Sequence, residues 1–190
     1  MISGQDRVRR GRWRPLRART AAAAVAVLSL AGCGTAGSGA AVAPSPMSVS
    51  SEAFIQGALA QQYTCYGGKM NPPLNWSGAP PGTKSLALVV DDSSAPITPY
   101  IYWLVFDIGP GTTDIQQGSL PTGARQALNS HGTTSYDAPC PAGHAHSYRF
   151  TVYALSKELP LPNGAPLQAV WTAIAAATIG RGRIVVSGHS

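Results

Sequence analysis

The stretch that decides the fold is residues 136–155, YDAPCPAGHAHSYRFTVYAL. In its second half, the side chains at every second position from Tyr148 to Ala154 share one face, and this period of two predicts a β-strand. In its first half, Pro139 and Pro141 fix φ and remove two backbone donors, which excludes a strand and predicts a stiff loop. Loops at the end of a strand commonly build small-molecule sites. Three side chains with suitable chemistry lie on this loop: Cys140, His144 and His146.

Two upstream runs also have the composition of strands. Residues 85–90, SLALVV, are almost continuously apolar and lead into Asp91 and Asp92, which predicts a buried strand whose end emerges into a loop. Residues 100–108, YIYWLVFDI, are strongly β-prone and are closed by Gly-Pro-Gly. The loops between these runs leave no room for crossover helices. The sequence therefore predicts an antiparallel, mainly β domain.

The C-terminal part predicts one helix and one short strand. Pro166 suits a first helical turn, and Gly180 is a natural stop. The apolar stripe of the helix consists of Leu167, Val170 and Ile174 and extends to Ala177. Residues 184–186, Ile-Val-Val, predict the final strand. Residues 48–61 fit either a helical face or a short strand followed by a loop, and their pattern does not decide between the two.

The N-terminus has the pattern of an export signal. Arginines from Arg7 to Arg19 precede an apolar segment, residues 21–30, that is too short to span a bilayer. The sequence Leu-Ala-Gly-Cys then ends at Cys33 and resembles a bacterial lipobox, in which the cysteine becomes the lipidated first residue. A cleaved signal peptide with an incidental cysteine and an uncleaved anchor are the alternatives.

The predicted organisation follows from this signal. Residues 1–33 are a lipoprotein signal peptide, residues 34–47 a flexible tether, and residues 48–190 one domain. The tether is mostly Gly, Ala, Ser, Thr and Pro, a composition that cannot bury a core. More than one fatty acyl chain on Cys33, such as palmitate, is enough for stable anchoring. The predicted location is the extracytoplasmic face of the cell membrane.

The charge of the chain changes when the signal is set aside. The whole sequence has 14 basic and 8 acidic residues, and residues 1–32 hold seven of the basic ones and Asp6. The remaining chain is therefore near neutral. Nucleic-acid binding needs a basic face on the folded domain, so we expect no nucleic-acid partner.

Two cysteines remain after Cys33, namely Cys65 and Cys140. An even number in an exported protein favours a disulfide bond, because such bonds persist outside the cytoplasm. A bond between these two would close a loop of about 75 residues and contribute roughly 4 kcal/mol in the chain-entropy model.

Four separated segments together resemble the phosphatidylethanolamine-binding protein (PEBP) family, in its bacterial, Raf-kinase-inhibitor-like branch. They are residues 63–78, 92–96, 102–108 and 129–148. Their order and spacing make the resemblance specific, and it extends over roughly residues 48–189. The resemblance implies a Greek-key β-sandwich of PEBP-like type with one or two peripheral helices. It also implies one small pocket for phosphate-like groups, carboxylates or lipid headgroups.

The resemblance assigns pocket positions to residues of this chain. The family's Asp-Pro-Asp-Ala-Pro motif begins at Asp92, where Ser93 and Ser94 replace its first Pro and second Asp. The family's pocket histidine falls on Tyr102, and its His-Arg-Tyr motif falls on His146-Ser147-Tyr148. Its Gly-Pro-x-Pro loop falls on residues 138–141. The predicted ligand-binding residues are Asp92, Tyr102, Tyr136, Pro139, His146 and Tyr148.

The substitutions alter the chemistry of this predicted pocket. An anion site needs converging donors where water is scarce, and His146 and Tyr148 still supply two. Tyr102 and Ser147 are neutral where the family has groups able to carry positive charge. Asp92 fits best as an orienting group, because a bare carboxylate repels an anion. We therefore expect a weaker anion site that accepts a small anionic or zwitterionic ligand.

Other interpretations remain open. His146 could be an ordinary core histidine, Asp92 a turn cap, and Tyr102 and Tyr136 packing residues. A metal site on the 140–146 loop needs reduced sulfur and a fourth ligand, so no metal or other cofactor is predicted. A hydrolase needs a nucleophile beside a base, and the chain has no Gly-x-Ser-x-Gly elbow. A protein-interaction module that inhibits a kinase or protease is the second functional hypothesis, and a degenerate hydrolase is the third.

Overall fold

The computed structural model describes residues 43–95, 98–141 and 145–188. These ranges contain a 3₁₀ turn at Gln61–Tyr63, one α-helix, α1 (Leu167–Ala177), and eleven strands. In chain order the strands are β1 (Ser45–Pro46), β2 (Ser48–Ser50), β3 (Phe54–Ile55), β4 (Ala58–Leu59), β5 (Leu74–Ser77), β6 (Ser85–Asp92), β7 (Tyr100–Ile108), β8 (Asp114–Ile115), β9 (Arg125–Gln126), β10 (His146–Leu155) and β11 (Thr178–Gly188). None of the helical segments described is both long and apolar enough to cross a membrane.

The strands form two sheets. An eight-stranded sheet has the order β3-β4-β11-β10-β6-β7-β9, with β1 added beside β11, and a three-stranded sheet has the order β2-β5-β8. The four long strands pair antiparallel, whereas β1 and β4 lie parallel to β11. β10 returns to pair with β6 rather than with β7, the non-sequential order of a Greek-key connection. The predicted mainly β fold is confirmed.

The central sheet is covered on both faces. Side chains from one face of β6 and β10, including Leu88 and Phe150, join Leu74 and Trp76 of the small sheet in one core. The other face packs against α1. The buried residues of the helix are Val170, Ile174 and Ala177, which confirms the apolar stripe predicted for it apart from Leu167, which is only partly buried. Successive residues of β6 and β10 therefore point to different layers.

The last strand is longer than the sequence predicts. β11 already begins at Thr178, so the expectation that Gly180 ends the helix and that only residues 184–186 form a strand is wrong. A Cβ added to Gly182 would lie 2.6 Å from the carbonyl oxygen of Met47. The glycines of β11 therefore allow close approach of another segment, a reason that the sequence pattern does not distinguish from helix termination.

The segment that approaches β11 is the end of the predicted tether. Ser45 pairs with Gly180, and the Met47 N–H donates to the carbonyl of Arg181 at 3.0 Å. Met47 is buried. Residues 45–47 are therefore part of the folded chain. The undecided residues 48–61 form β2, β3 and β4 and the 3₁₀ turn rather than an α-helix.

The disulfide predicted between Cys65 and Cys140 is present, with the two Cα atoms 5.2 Å apart. The Cys65 N–H also donates to the carbonyl of Pro139 at 3.0 Å. The bond joins residues 138–141, the proline loop, to the segment after the 3₁₀ turn, and it leaves Cys140 without a thiolate for a metal. Cys33 and His144 lie outside the described residues.

Candidate ligand-binding site

Three neighbouring strands bring polar side chains together at one end of the central sheet. Asp92 is the last residue of β6, and its pairing partners are Tyr148 on β10 and Tyr100 on β7. His146 is the first residue of β10, two positions before Tyr148, so both side chains lie on the same side of the strand. The alternation that identified β10 therefore also places these groups at the same end of the sheet.

Asp92 holds the imidazole of His146. Its Oδ2 lies 2.7 Å from Nδ1 of His146, and the two side chains are 5% and 15% exposed. The other carboxylate oxygen accepts the backbone N–H of Ser94 at 2.7 Å, as in an Asx turn. The N–H and hydroxyl of Ser93 both donate to the carbonyl of Ser147, which ties the loop after β6 to the start of β10. Asp92 thus orients both the histidine and the loop.

Asp92 is expected to make the free energy of unfolding depend on pH in the acidic range. Burial raises the pKa of this carboxyl group, but bonds from His146 and Ser94 more than offset burial, and its pKa lies below the ordinary 3.8. A carboxyl group whose pKa is lower in the folded than in the unfolded state stabilises the protein at pH values above its unfolded-state pKa. This contribution is lost as the pH falls through the folded-state pKa. Asp92→Asn should therefore cost about 1.5–3 kcal/mol near neutral pH.

Urea unfolding at several pH values measures this effect. The difference in free energy of unfolding between the parent and Asp92→Asn should become smaller as the pH falls below about 4. Glu52→Gln, which removes an exposed acid, is the matched control and should show little change at any pH. A gap that is independent of pH would contradict the role assigned to Asp92.

The hydroxyl of Tyr148 is buried and makes no hydrogen bond of ordinary geometry among the described residues, although burial and the nearby Tyr102 phenol raise its pKa. The side chain is fully buried. Its ring stacks on the imidazole of His146 with centroids 5.7 Å apart, and the ring of Tyr102 meets it edge-on at 5.6 Å. An unsatisfied buried hydroxyl costs about 1–3 kcal/mol, and such groups are uncommon in folded proteins. A ligand that accepts from this hydroxyl would remove that cost.

Tyr100 and Asp137 extend the site, and neither of them is predicted from the sequence. The Tyr100 hydroxyl donates to Oδ2 of Asp137 at 2.7 Å, and its ring lies 4.7 Å from that of Tyr102. Burial and the Asp137 carboxylate raise the pKa of Tyr100 to about 12. Burial also raises the pKa of Tyr102, and the negative charge of the Asp92 carboxylate raises it further. The spacing of two between Tyr100 and Tyr102 on a strand is the signal that could have included Tyr100.

Tyr136 and Pro139 make contacts that hold neighbouring segments of the fold together. The Tyr136 hydroxyl donates to the carbonyl of Tyr63 at 3.0 Å, and its ring packs edge-on against Trp103. Burial raises the pKa of Tyr136. Pro139 is buried, and its carbonyl accepts from Cys65. The contacts of these two residues are structural, so their predicted contact with a ligand stays a prediction.

Asn129 orders the loop that leads to Tyr136. Its side-chain oxygen accepts the backbone N–H groups of His131 and Thr133, and its amide group donates to the carbonyl of Ser135 at 3.0 Å. The side chain is buried, so these bonds satisfy it. Asn129 therefore fixes the path of the chain between β9 and the proline loop.

The fold and the site define a β-sandwich protein with an acid, a histidine and tyrosines at one end of its central sheet. The family profile described as phosphatidylethanolamine-binding protein matches residues 49–188. The chain belongs to this family, which confirms the resemblance found in the sequence.

Individual relatives show the same affiliation. A Mycobacterium tuberculosis protein named "Putative lipoprotein LppC" is 42% identical over 142 residues, which cover 73% of this chain and 70% of the relative. A protein of Methanothermobacter thermautotrophicus named UPF0098 protein is 37% identical over 145 residues, 73% of this chain and 96% of the relative. The crystal structure of Escherichia coli YbcL, described as a new member of the mammalian PEBP family, superposes with a TM-score of 0.70 at 28% identity and covers 76% of this chain and 98% of that one.

Proposed function

We propose that the protein is a lipid-anchored, extracytoplasmic binding protein with a pocket around Asp92, His146 and Tyr148. Its ligand is a small group of the phosphate, carboxylate or lipid-headgroup class. The observation that carries the proposal is the buried Tyr148 hydroxyl, which has no hydrogen-bond partner within residues 43–95, 98–141 and 145–188 and lies beside an imidazole held by Asp92. This arrangement keeps a donor ready for an acceptor atom from outside the chain.

The charges around the pocket favour a zwitterion over a simple anion. Asp92 and Asp137 both lie close enough to Tyr102 to raise its pKa, and Ser147 stands where the family motif has a cation. Two carboxylates near the Tyr102 phenol, of which Asp92 also contacts His146, attract an ammonium group and weaken the binding of a bare anion. Phosphoethanolamine carries both an acceptor for Tyr148 and an ammonium group. We therefore propose that it binds more tightly than phosphate or acetate.

A titration followed by NMR tests this function. Phosphoethanolamine, phosphate and acetate are added separately while the ring resonances of His146 and Tyr148 are observed. A saturable shift confined to these residues is expected, with phosphoethanolamine saturating first. His146→Ala should abolish the shift, and His131→Ala, which replaces an exposed histidine, should leave it unchanged. No localised shift up to high millimolar ligand would count against the proposal.

Lipid anchoring is the second part of the proposed function. It is supported by the lipobox-like sequence before Cys33 and by the name of the LppC relative. Cys33→Ser should move the protein from the membrane fraction to the soluble fraction and abolish incorporation of a labelled fatty acid. Ser38→Ala, in the predicted tether, should change neither. Unchanged fractionation and labelling of Cys33→Ser would contradict lipidation at this residue.

The other functional hypotheses stay predictions. An interaction module would retain its partner in a pull-down after His146→Ala but lose it when the loops at the pocket rim are exchanged. A hydrolase would turn over an ester or phosphoester in a reaction that His146→Ala abolishes. Ser93 donates its hydroxyl to the carbonyl of Ser147, an arrangement that does not favour it as a nucleophile.

A further inference from the structure

A second cleft lies on the face of the central sheet that packs against α1. Its volume is about 630 Å³, within the range of about 300–1,000 Å³ that is usual for small-molecule sites. The residues that line it include Asp91, Arg149, Tyr153, Trp171, Arg181 and Arg183. Asp91 directly precedes Asp92 in β6, and Arg149 directly follows Tyr148 in β10. Neighbouring residues of a strand point to opposite faces, so this cleft is separate from the pocket around Asp92.

The cleft carries an excess of positive charge. Arg149 is paired with the Asp91 carboxylate, whose oxygens lie 3.0 and 3.2 Å from its Nε, so this pair is neutral overall. Arg183 donates to the neutral hydroxyl of Thr151 at 2.8 Å and has no carboxylate partner among the described residues. Arg181 is exposed and makes no side-chain hydrogen bond or ion pair within residues 43–95, 98–141 and 145–188. Two guanidinium charges therefore remain for a ligand.

An aromatic surface lies beside these arginines. Trp171 is 39% exposed, and its ring meets that of the buried Tyr153 edge-on at a centroid distance of 6.1 Å. Tyr153 is paired with Arg181 across β10 and β11, and Arg183 is paired with Thr151 in the same register. Burial raises the pKa of Tyr153, while Arg183 and Arg181 oppose the increase, as expected for guanidinium groups near the phenol.

We propose that this cleft binds a small organic anion in which a planar ring carries a phosphate or carboxylate group. The ring lies against Trp171, and the anionic group accepts from Arg181 and Arg183. Guanidinium groups bind phosphate and carboxylate with paired hydrogen bonds, and exposed indole faces stack with planar rings. The cleft is also larger than an inorganic anion requires. The proposal goes beyond the function proposed for the pocket at Asp92 and does not rest on it.

The test is a titration of the full chain, purified in detergent, with phenyl phosphate. Binding is followed by the indole N–H resonance of Trp171, which is exposed whereas Trp76 and Trp103 are buried. A saturable shift of the Trp171 resonance is expected. Arg181→Gln combined with Arg183→Gln should weaken binding by about tenfold or more, because both charged donors are lost. Both side chains are exposed, so circular dichroism should show an unchanged fold.

The control variant is Lys84→Gln combined with Lys157→Gln. It removes the same formal charge from residues that do not line the cleft, and it should bind phenyl phosphate like the parent. Inorganic phosphate and phenol should each bind more weakly than phenyl phosphate. The proposal would be overturned if the two double variants lost affinity for phenyl phosphate equally, or if inorganic phosphate bound as tightly as phenyl phosphate. It would also be overturned if phenyl phosphate up to about 10 mM caused no saturable shift of the Trp171 resonance.

Discussion

Tyr148→Phe is expected to weaken phosphoethanolamine binding by about tenfold or more without lowering the free energy of unfolding. The change removes only the hydroxyl. In the absence of ligand this buried group has no partner among the described residues, so its loss removes an unsatisfied group and leaves the packing intact. With ligand bound, the variant lacks the hydrogen bond that the proposed site provides. Calorimetric titration and urea unfolding of the same samples measure both quantities.

Tyr136→Phe is the matched control for this result. It removes a hydroxyl that donates to the carbonyl of Tyr63, so it should lower the free energy of unfolding by about 1–3 kcal/mol. Because this hydroxyl is already bonded without ligand, ligand affinity should fall much less than in Tyr148→Phe. A Tyr148→Phe protein that is destabilised to a similar extent, with unchanged affinity, would contradict the assignment of the Tyr148 hydroxyl to ligand binding.

Removal of the Cys65–Cys140 bond is expected to lower the free energy of unfolding by about 4 kcal/mol. The two cysteines are 75 residues apart, and the stabilisation grows with the length of the closed loop. For a domain of this size the midpoint of thermal unfolding should fall by roughly 8–16 °C. The comparison is between the parent and a variant with Cys65→Ser and Cys140→Ser, measured by thermal and urea unfolding.

A reducing agent provides the control for the disulfide. It should destabilise the parent by a similar amount and leave the double variant unchanged, because the variant has no bond to reduce. Destabilisation below about 1 kcal/mol in the double variant would show that the folded chain, rather than this bond, holds the proline loop.

The long central strands could be predicted from the sequence because their side chains follow simple periods. The alternation from Tyr148 to Ala154 and the apolar run of β6 both predicted strands that the structure contains, whereas the family resemblance assigned Asp92 and His146 to one pocket. The cysteine count predicted the disulfide in the same way. The strand signals are local in the sequence, and the disulfide prediction needs only an even number of cysteines.

The missed features depend on contacts between segments that are distant in the sequence. Gly180 resembles a helix stop, but it lies within β11, where Pro80 packs against it and Met47 packs against the neighbouring Gly182. Tyr100 and Asp137 are 37 residues apart, so their bond has no local signature. The hydroxyl of Tyr136 donates to the backbone of a segment 73 residues earlier, a bond that no local pattern indicates.

The most direct test of the proposed pocket is a crystal structure of the protein grown with phosphoethanolamine. The phosphate group is expected within hydrogen-bond distance of the Tyr148 hydroxyl, with the Asp92–His146 contact retained. A structure in which phosphoethanolamine occupies another surface, while the Tyr148 hydroxyl remains buried without an acceptor, would contradict the proposed pocket.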